Sequence, residues 1–247
     1  MSQSLDQVVE ELSLGELPRK EIPSPPGVAP MCAIAIPWER SFKRWREVDA
    51  KAKTLGYRAV GIGDEQSVEL LGESTELVDT WDREEAIARA KAFDVPVWLK
   101  EREAEFTADD HEIPHGSWQD PTDPPSNRFW FPYEKGTPLN PWWMGLIPAE
   151  LGWQVPLALA YGNWNDCPDP IVHAALARRW NRQYRAVLIA ISHDTIEFMV
   201  SRPPTNREEA LTLAAEQYLY CTDIVDQGIG SIAALGASLI NQRTWSF

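Results

Sequence analysis

The chain has 247 residues, of which 44% are apolar and 24% are charged, a composition that excludes a wholly disordered chain and a fibrous one. Its 37 acidic and 23 basic residues give a net charge of −14, which disfavours nucleic acid because phosphates are bound by lysine and arginine. No apolar run reaches the roughly 20 residues that span a bilayer, and the first residues lack the basic and apolar regions of a signal peptide. We therefore expect a cytoplasmic protein that binds neither nucleic acid nor membrane.

The first half of the chain predicts a β–α–β arrangement after a short N-terminal segment. Apolar spacing predicts an amphipathic helix over Ser4–Leu14, and five prolines predict a linker over Pro18–Pro30. An apolar strand over Cys32–Ile36, a helix over Ser41–Leu55 and a second strand over Tyr57–Ile62 follow. The helix is expected to end at the glycine that comes before the second strand.

An acidic segment and an aromatic segment follow. Glu101–Ser126 carries eight acidic residues and predicts an exposed insertion. Seven aromatic residues come next, and we expect them to pack between two halves of the protein or, as the alternative, to form a partner-binding patch. The acidic residues that are candidates for binding a partner are Glu101, Glu103, Glu105, Asp109, Asp110 and Glu112.

The second half predicts a similar order of elements. Strands are expected over Leu157–Tyr161, Ala186–Ile191 and Thr195–Val200. Helices are expected over Asp169–Tyr184 and Thr205–Tyr220.

Short sequence matches between the halves suggest an internal duplication. The tetrapeptide YRAV at Tyr57–Val60 recurs 127 residues later, and REEA at Arg83–Ala86 recurs 124 residues later. The first predicted strands of the two halves are also 124 residues apart. Generic helix and strand starts would explain the same matches. The predicted fold class is therefore α/β (or α+β), with two related β-α-β-β-α lobes. The expected segments are an N-terminal helix and linker (1–30), a first lobe (31–100), an acidic and aromatic-rich irregular connection (101–152) and a second lobe (153–247).

Cofactor motifs are weak. His111–His115 matches the zinc motif H-E-x-x-H, but Pro114 opposes the helix that such a site requires. The three cysteines, Cys32, Cys167 and Cys221, are few and widely spaced, which indicates neither a disulfide framework nor a zinc site. We expect no metal and no cofactor.

The Gly162–Pro168 loop (GNWNDCP) is the best candidate site because it joins a predicted strand to a predicted helix, where α/β sheets often bind ligands. Its amides and tryptophan suit ligand binding, although the same residues could close turns and cap the helix. Cys167 would need a base to act as a nucleophile, and His173 is expected to lie more than one helical turn away. Arg202 could bind an anion or pair with Asp223 or Asp226. The candidate ligand-binding residues are Asn163, Trp164, Asn165, Asp166, Arg202, Asp223, Asp226 and Gln227.

The region from about Trp153 to Phe247 resembles the bacterial DUF4253 family. The resemblance lies in the Gly162–Pro168 loop, Trp180, Tyr184, Arg202–Thr205, the Glu208–Tyr218 helix, Cys221, Asp223–Val225, Gln227–Gly228 and Trp245–Phe247. It implies an α/β domain in the bacterial cytoplasm, and because the family has no assigned reaction it supplies no catalytic residues. Similar small acidic domains are encoded among toxin-immunity genes, so the resemblance also suggests an immunity-like role.

Two functions are consistent with these patterns. The first is a non-enzymatic binding protein, immunity-like, whose acidic surface engages a basic protein partner. The alternative is an enzyme or small-ligand binder with a cleft around the Gly162–Pro168 loop and Arg202.

Overall fold

A computed structural model of the chain describes residues 4–38, 41–76, 79–108, 112–121, 129, 131–134 and 136–247. Nine strands are assigned in this part of the chain. They are β1 (Arg19–Ile22), β2 (Met31–Ile36), β3 (Tyr57–Gly63), β4 (Tyr133–Glu134), β5 (Thr137–Pro138), β6 (Trp142–Pro148), β7 (Ala186–Ile191), β8 (Ile196–Val200) and β9 (Thr244–Ser246). The fold is therefore mixed α/β, as the sequence predicts.

Seven of these strands form one sheet in the order β1-β2-β6-β3-β7-β8-β9, while β4 and β5 form a separate hairpin. Neighbours in the large sheet are antiparallel except β3 and β7, which are parallel and pair at Gly61 and Ala190. Parallel neighbours end at the same edge of a sheet. We call the edge at which β3 and β7 end the carboxyl edge.

Helices cover both faces of the large sheet. They are α1 (Leu5–Glu11), α2 (Ser41–Ala52), α3 (Glu65–Glu76), α4 (Arg83–Ala92), α5 (Val95–Ala108), α6 (Val155–Ala158), α7 (Pro170–Tyr184), α8 (Arg207–Tyr220) and α9 (Ile232–Leu239), with a π-helical turn at Ile224–Ile229. Alternate residues of β2 point to opposite faces, so Ile34 belongs to the core under α1 and α2, whereas Ala33 belongs to the larger core, which contains residues of α3–α9.

Local sequence signals mark the starts of three helices. Ser4 caps α1 in a reciprocal capping box with Gln7, Asp169 caps α7 and Asn206 caps α8. Each side chain accepts a hydrogen bond from a backbone N–H group that has no partner within the helix. Gly56, in the left-handed conformation at φ 81°, ends the helical segment that precedes β3.

The predicted strand over Leu157–Tyr161 is wrong. The apolar run is buried, but it forms the end of α6 and the turn after it. Pro156 lies in the first turn of this helix. A short buried apolar run has the same composition in a helix and in a strand, so its pattern could not separate the two. Pro156 is compatible with a helix start, since its missing N–H group is not needed there.

Two predicted irregular segments are partly regular. Within the proline-rich linker, Arg19–Ile22 contains no proline and pairs with β2 as an edge strand. The start of the acidic insertion is the second half of α5, so Glu101, Glu103 and Glu105 lie on a helix.

The two-lobe arrangement is not confirmed. The aromatic-rich connection contributes β6, which lies between β2 and β3 and makes one sheet of both halves. Arg83 and Arg207 both begin helices, but Ala33–Ile36 is a strand while its proposed equivalent, Leu157–Ala160, is helix and turn. The internal duplication stays a prediction.

Candidate functional site

A cavity of about 280 Å³ opens beside the Gly162–Pro168 loop at the carboxyl edge of the sheet. We call it the loop cavity. Its wall includes residues of the loop itself, the end of α8, the turn between β7 and β8, and the C-terminal Phe247. This is the edge at which α/β sheets commonly bind ligands.

The loop is held in shape by its backbone. The N–H group of Asn163 donates to the carbonyl of Pro168 at 3.2 Å, and that of Cys167 donates to the carbonyl of Trp164 at 2.8 Å. Asn163 and Asn165 adopt left-handed φ values of 69° and 48°, which asparagine tolerates better than most residues. The residue type thus suits the backbone of the turn, while the helix cap is Asp169.

Gly162 lets the loop close on itself. Its φ is 120°, and a Cβ atom there would collide with the carbonyl of Pro168 and lie 3.1 Å from Nε2 of His173. The loop therefore packs directly against the first turns of α7 and brings Cys167 next to His173.

Cys167, His173 and Tyr220 form a chain of polar contacts at the wall of the loop cavity. The Sγ atom of Cys167 lies 3.3 Å from Nε2 of His173, and Nδ1 of His173 lies 2.7 Å from the Tyr220 hydroxyl oxygen. The thiol is half-buried, whereas His173 and Tyr220 are 4% and 5% exposed. All three residues line the loop cavity, and the thiol belongs to the most exposed of the three.

Burial keeps all three groups neutral. It raises the pKa of the Cys167 thiol to about 12 and lowers the pKa of His173 to about 3, against a smaller raising effect of the Pro168 carbonyl. It also raises the pKa of the Tyr220 hydroxyl well above its usual value. Near neutral pH the contacts therefore join a thiol, an imidazole and a phenol.

Several predicted ligand-binding residues line the loop cavity. Trp164, Asn165, Asp166 and Asp223 are part of its wall. The Trp164 ring stands edge-on to that of Tyr161, with ring centroids 4.8 Å apart. Asp166 is held by Arg102 of α5, whose Nη2 atom donates to both carboxylate oxygens at 2.5 Å.

The other predicted ligand-binding residues lie outside the cavity wall. Asn163 is exposed on the outer side of the loop. Asp226 and Gln227 are exposed in the π-helical turn, where Gln227 donates to Asp223 at 2.8 Å. β8 begins at Ile196, which lines the cavity, and ends at Val200, which pairs with Ala186. Arg202 comes two residues after that far end. Because a strand rises about 3.3 Å per residue, Arg202 lies at the opposite edge of the sheet.

Among the predicted partner-binding acids, Glu101, Glu103, Glu105 and Glu112 are exposed. Asp109 and Asp110 lie outside the described residues, as does His111 of the H-E-x-x-H match. Residues 112–121 contain no helix, so the described part of that match lacks the helix of a zinc site. Within the described residues, no group of three or more His, Cys, Asp or Glu side chains could hold a metal ion.

Tyr220 is the site residue that sequence reasoning missed. The expectation that His173 lies more than one helical turn from Cys167 is wrong, because the two side chains are in contact. Asp169 caps α7, so His173 is the fourth residue of the helix and Pro168 immediately precedes the cap. Those two positions come together in the hydrophobic staple at helix starts, which also brings the neighbouring Cys167 close. That spacing was a sequence signal for the Cys167–His173 contact. No sequence signal existed for the Tyr220 contact, because Tyr220 is 47 positions from His173.

The fold and the cavity define a mixed α/β protein with a single large sheet and a candidate site at its carboxyl edge. Residues 143–247 match the model of the DUF4253 family, described as a domain of unknown function. The match confirms the resemblance, and it begins ten residues before Trp153. No curated protein and no solved structure matches the chain significantly. No helix within the described ranges has the length and apolar character needed to cross a bilayer.

Proposed function

We propose that the protein binds a small organic ligand in the loop cavity. The observation that carries this proposal is the chain of contacts from the half-buried thiol of Cys167 through His173 to Tyr220, placed at the wall of a cavity. A buried chain of polar side chains that opens at one end into a cavity is typical of a ligand site. The location at the carboxyl edge, beside the end of β7, supports the same conclusion.

The cavity wall favours a neutral or positively charged ligand. Three aspartates, Asp166, Asp194 and Asp223, line it, and the lining that the structure describes includes no lysine or arginine. Of these three aspartates, Asp166 is the one whose negative charge is paired with Arg102. The faces of Trp164 and Phe247 offer apolar and aromatic contact area and can stack on a flat or cationic group.

A thermal-shift screen of neutral and cationic metabolites tests this proposal. A ligand that binds only the folded protein raises its melting temperature. We expect compounds that stabilise the native chain to lose their effect in Trp164→Ala but to keep it in Trp118→Ala, because Trp118 is also half-buried but lines a different cavity. Equal shifts in the two variants, or no stabilising compound in either class, would contradict the proposal.

A second proposal concerns α5, where Glu101, Glu103 and Glu105 are all exposed on one helix. This surface favours a basic protein partner, since complementary charge accelerates association. Such a role would fit an immunity-like protein of the bacterial cytoplasm, and the three free cysteines suit a reducing compartment. Replacing the three glutamates by glutamine should slow association with a captured basic partner and reduce its salt dependence. An unchanged rate would remove α5 from the interface.

A further inference from the structure

We propose that Cys167 is a nucleophile toward an acyl group of the bound ligand, with His173 as its general base and Tyr220 as a positioning residue. The inference rests on the proposed ligand site and adds a reaction class to it. Nucleophile, base and positioning group contact one another in that order, and all three residues line the cavity, with Cys167 the most exposed of them. This is the arrangement that nucleophilic catalysis requires.

The tautomer of His173 decides whether it can accept a proton from the thiol. When Nδ1 carries the proton, it donates to the Tyr220 hydroxyl oxygen at 2.7 Å, and Nε2 presents a lone pair to Sγ of Cys167 at 3.3 Å. After proton transfer, the Pro168 carbonyl, which favours the protonated form of His173, stabilises the imidazolium. The Tyr220 hydroxyl oxygen can accept this hydrogen bond from Nδ1, and the contact orients the His173 ring toward the thiol.

The bond changes balance as follows. Sγ of Cys167 bonds to the acyl carbon while the thiol proton moves to Nε2 of His173, and the carbonyl electron pair moves to oxygen. The pair returns as the bond to the leaving group breaks, and the leaving group takes the proton from His173. Water, activated by the same nitrogen, then releases the acid and restores the thiol. Asn165, which lines the cavity, carries an amide that can donate to the carbonyl oxygen.

Other titratable groups face the same cavity. They are Tyr161, Asp166, Asp194, Cys221 and Asp223. Burial is the main cause that raises the pKa of the Cys167 and Cys221 thiols, and the negative charge of Asp166 adds a smaller effect in the same direction. A free thiolate is therefore a poor account of any reactivity at neutral pH, and transfer of the proton to His173 during the attack is required.

The pH dependence of acylation tests the inference without the natural ligand. The probe is p-nitrophenyl acetate, a neutral aromatic ester, and the readout is the rate of acetylation of each cysteine, followed by peptide mapping on the full chain. A thiol that reacts only as thiolate gains about tenfold in rate per pH unit below its pKa. A thiol assisted by a neutral histidine has a rate that is almost independent of pH. We expect the second profile for Cys167 between pH 5.5 and 7.5, with Cys221 as the internal reference for the first.

Variants separate the roles. His173→Gln should lower the Cys167 rate at pH 7 by about 10²–10⁴-fold, the range of general base catalysis, and should restore the tenfold dependence. Tyr220→Phe keeps the ring and removes the hydroxyl, so the rate should fall while the profile stays flat. Cys32→Ala, in the core of β2 on the other face of the sheet, is the matched control and should leave the Cys167 rate unchanged.

Each outcome decides between the two proposals. A native profile that rises tenfold per pH unit at Cys167 overturns the inference, and it needs no variant that could fail to fold. An unchanged rate in Tyr220→Phe overturns the positioning role. If a ligand binds in the cavity but Cys167 is unreactive, the inference is overturned and the proposed function stands. If the acylation rate of Cys167 is independent of pH but no ligand is found, only the proposed function is overturned.

Discussion

His173 is a titratable side chain that the fold removes almost completely from water. In the unfolded chain its pKa is about 6.5, whereas burial lowers it to about 3 in the folded protein. Between these values the unfolded state binds a proton that the folded state does not. The free energy of unfolding must therefore fall as the pH falls, by about 1.4 kcal/mol per pH unit.

The first prediction follows from this difference. The native chain should lose about 1 kcal/mol more stability than His173→Gln between pH 7 and pH 5.5, because glutamine takes up no proton. Urea unfolding of both proteins at the two pH values measures the difference. Parallel losses would show that His173 is charged in the folded state or exposed to water.

Asn163 gives a second prediction at the residue scale. Its left-handed φ of 69° strains an alanine by about 1–2 kcal/mol but not a glycine. Asn163→Ala should therefore lower the free energy of unfolding by about that amount, and Asn163→Gly should lower it by only a few tenths, in chemical denaturation. Equal losses would mean that the amide side chain, rather than the backbone angle, supports the loop.

At the scale of elements, a buried ion pair joins α2 to β3. Arg58 Nε and Nη2 donate to the two carboxylate oxygens of Asp49, each at 2.7 Å, and the N–H group of Ala59 donates to the same carboxylate at 3.1 Å. Both charged residues are 9% exposed. Breaking such a pair from one side leaves a charge buried without its counter-ion.

We predict that Asp49→Ala costs about 3–5 kcal/mol, the range for a broken buried pair. The double variant Asp49→Ala/Arg58→Met should lose less than the single variant, because no uncompensated charge stays buried. Equilibrium unfolding of the three proteins gives both differences. A double variant that is at least as unstable as Asp49→Ala would show that the guanidinium has found another partner.

Elements with capping or turn signals could be predicted from sequence, whereas the apolar run that forms α6 could not. Asp169, Asn206 and Gly56 mark helix ends through side-chain hydrogen bonds or a left-handed backbone, which depend on nearby residues only. Leu157–Tyr161 lacks polar residues that would show its period, so its helical turn resembled a strand.

At the scale of the whole molecule, the order of the strands joins the N-terminal half to the family region. β3 lies between β6 and β7, so residues 143–247 contain no neighbour for β6 and only one neighbour for β7. Isolated strand edges and the uncovered core would be exposed to water.

We predict that residues 143–247 do not fold cooperatively on their own, whereas the full chain unfolds in a single transition. Thermal unfolding of both, followed by far-ultraviolet circular dichroism, compares them. A sharp transition in the isolated fragment would show that the family region is an independent domain and that the sheet order does not govern its stability.

The candidate site could be predicted only in part. The Gly162–Pro168 loop was found because amides, a tryptophan and a helix start occur together in it. Four of the eight predicted ligand-binding residues line the cavity. Tyr220 contacts His173 because α8 packs on α7. Arg202 lies at the opposite edge of the sheet because β8 runs antiparallel to β7. Both placements depend on tertiary structure.

The central claim, that the loop cavity binds a small ligand, is tested most directly by soaking crystals of the full chain with a library of neutral and cationic fragments. Electron density for bound fragments should lie in the loop cavity, against Trp164 and Phe247 and next to the thiol of Cys167. Fragments that leave this cavity empty and collect in the cavity beside Trp118, or on the surface of α5, would contradict the claim.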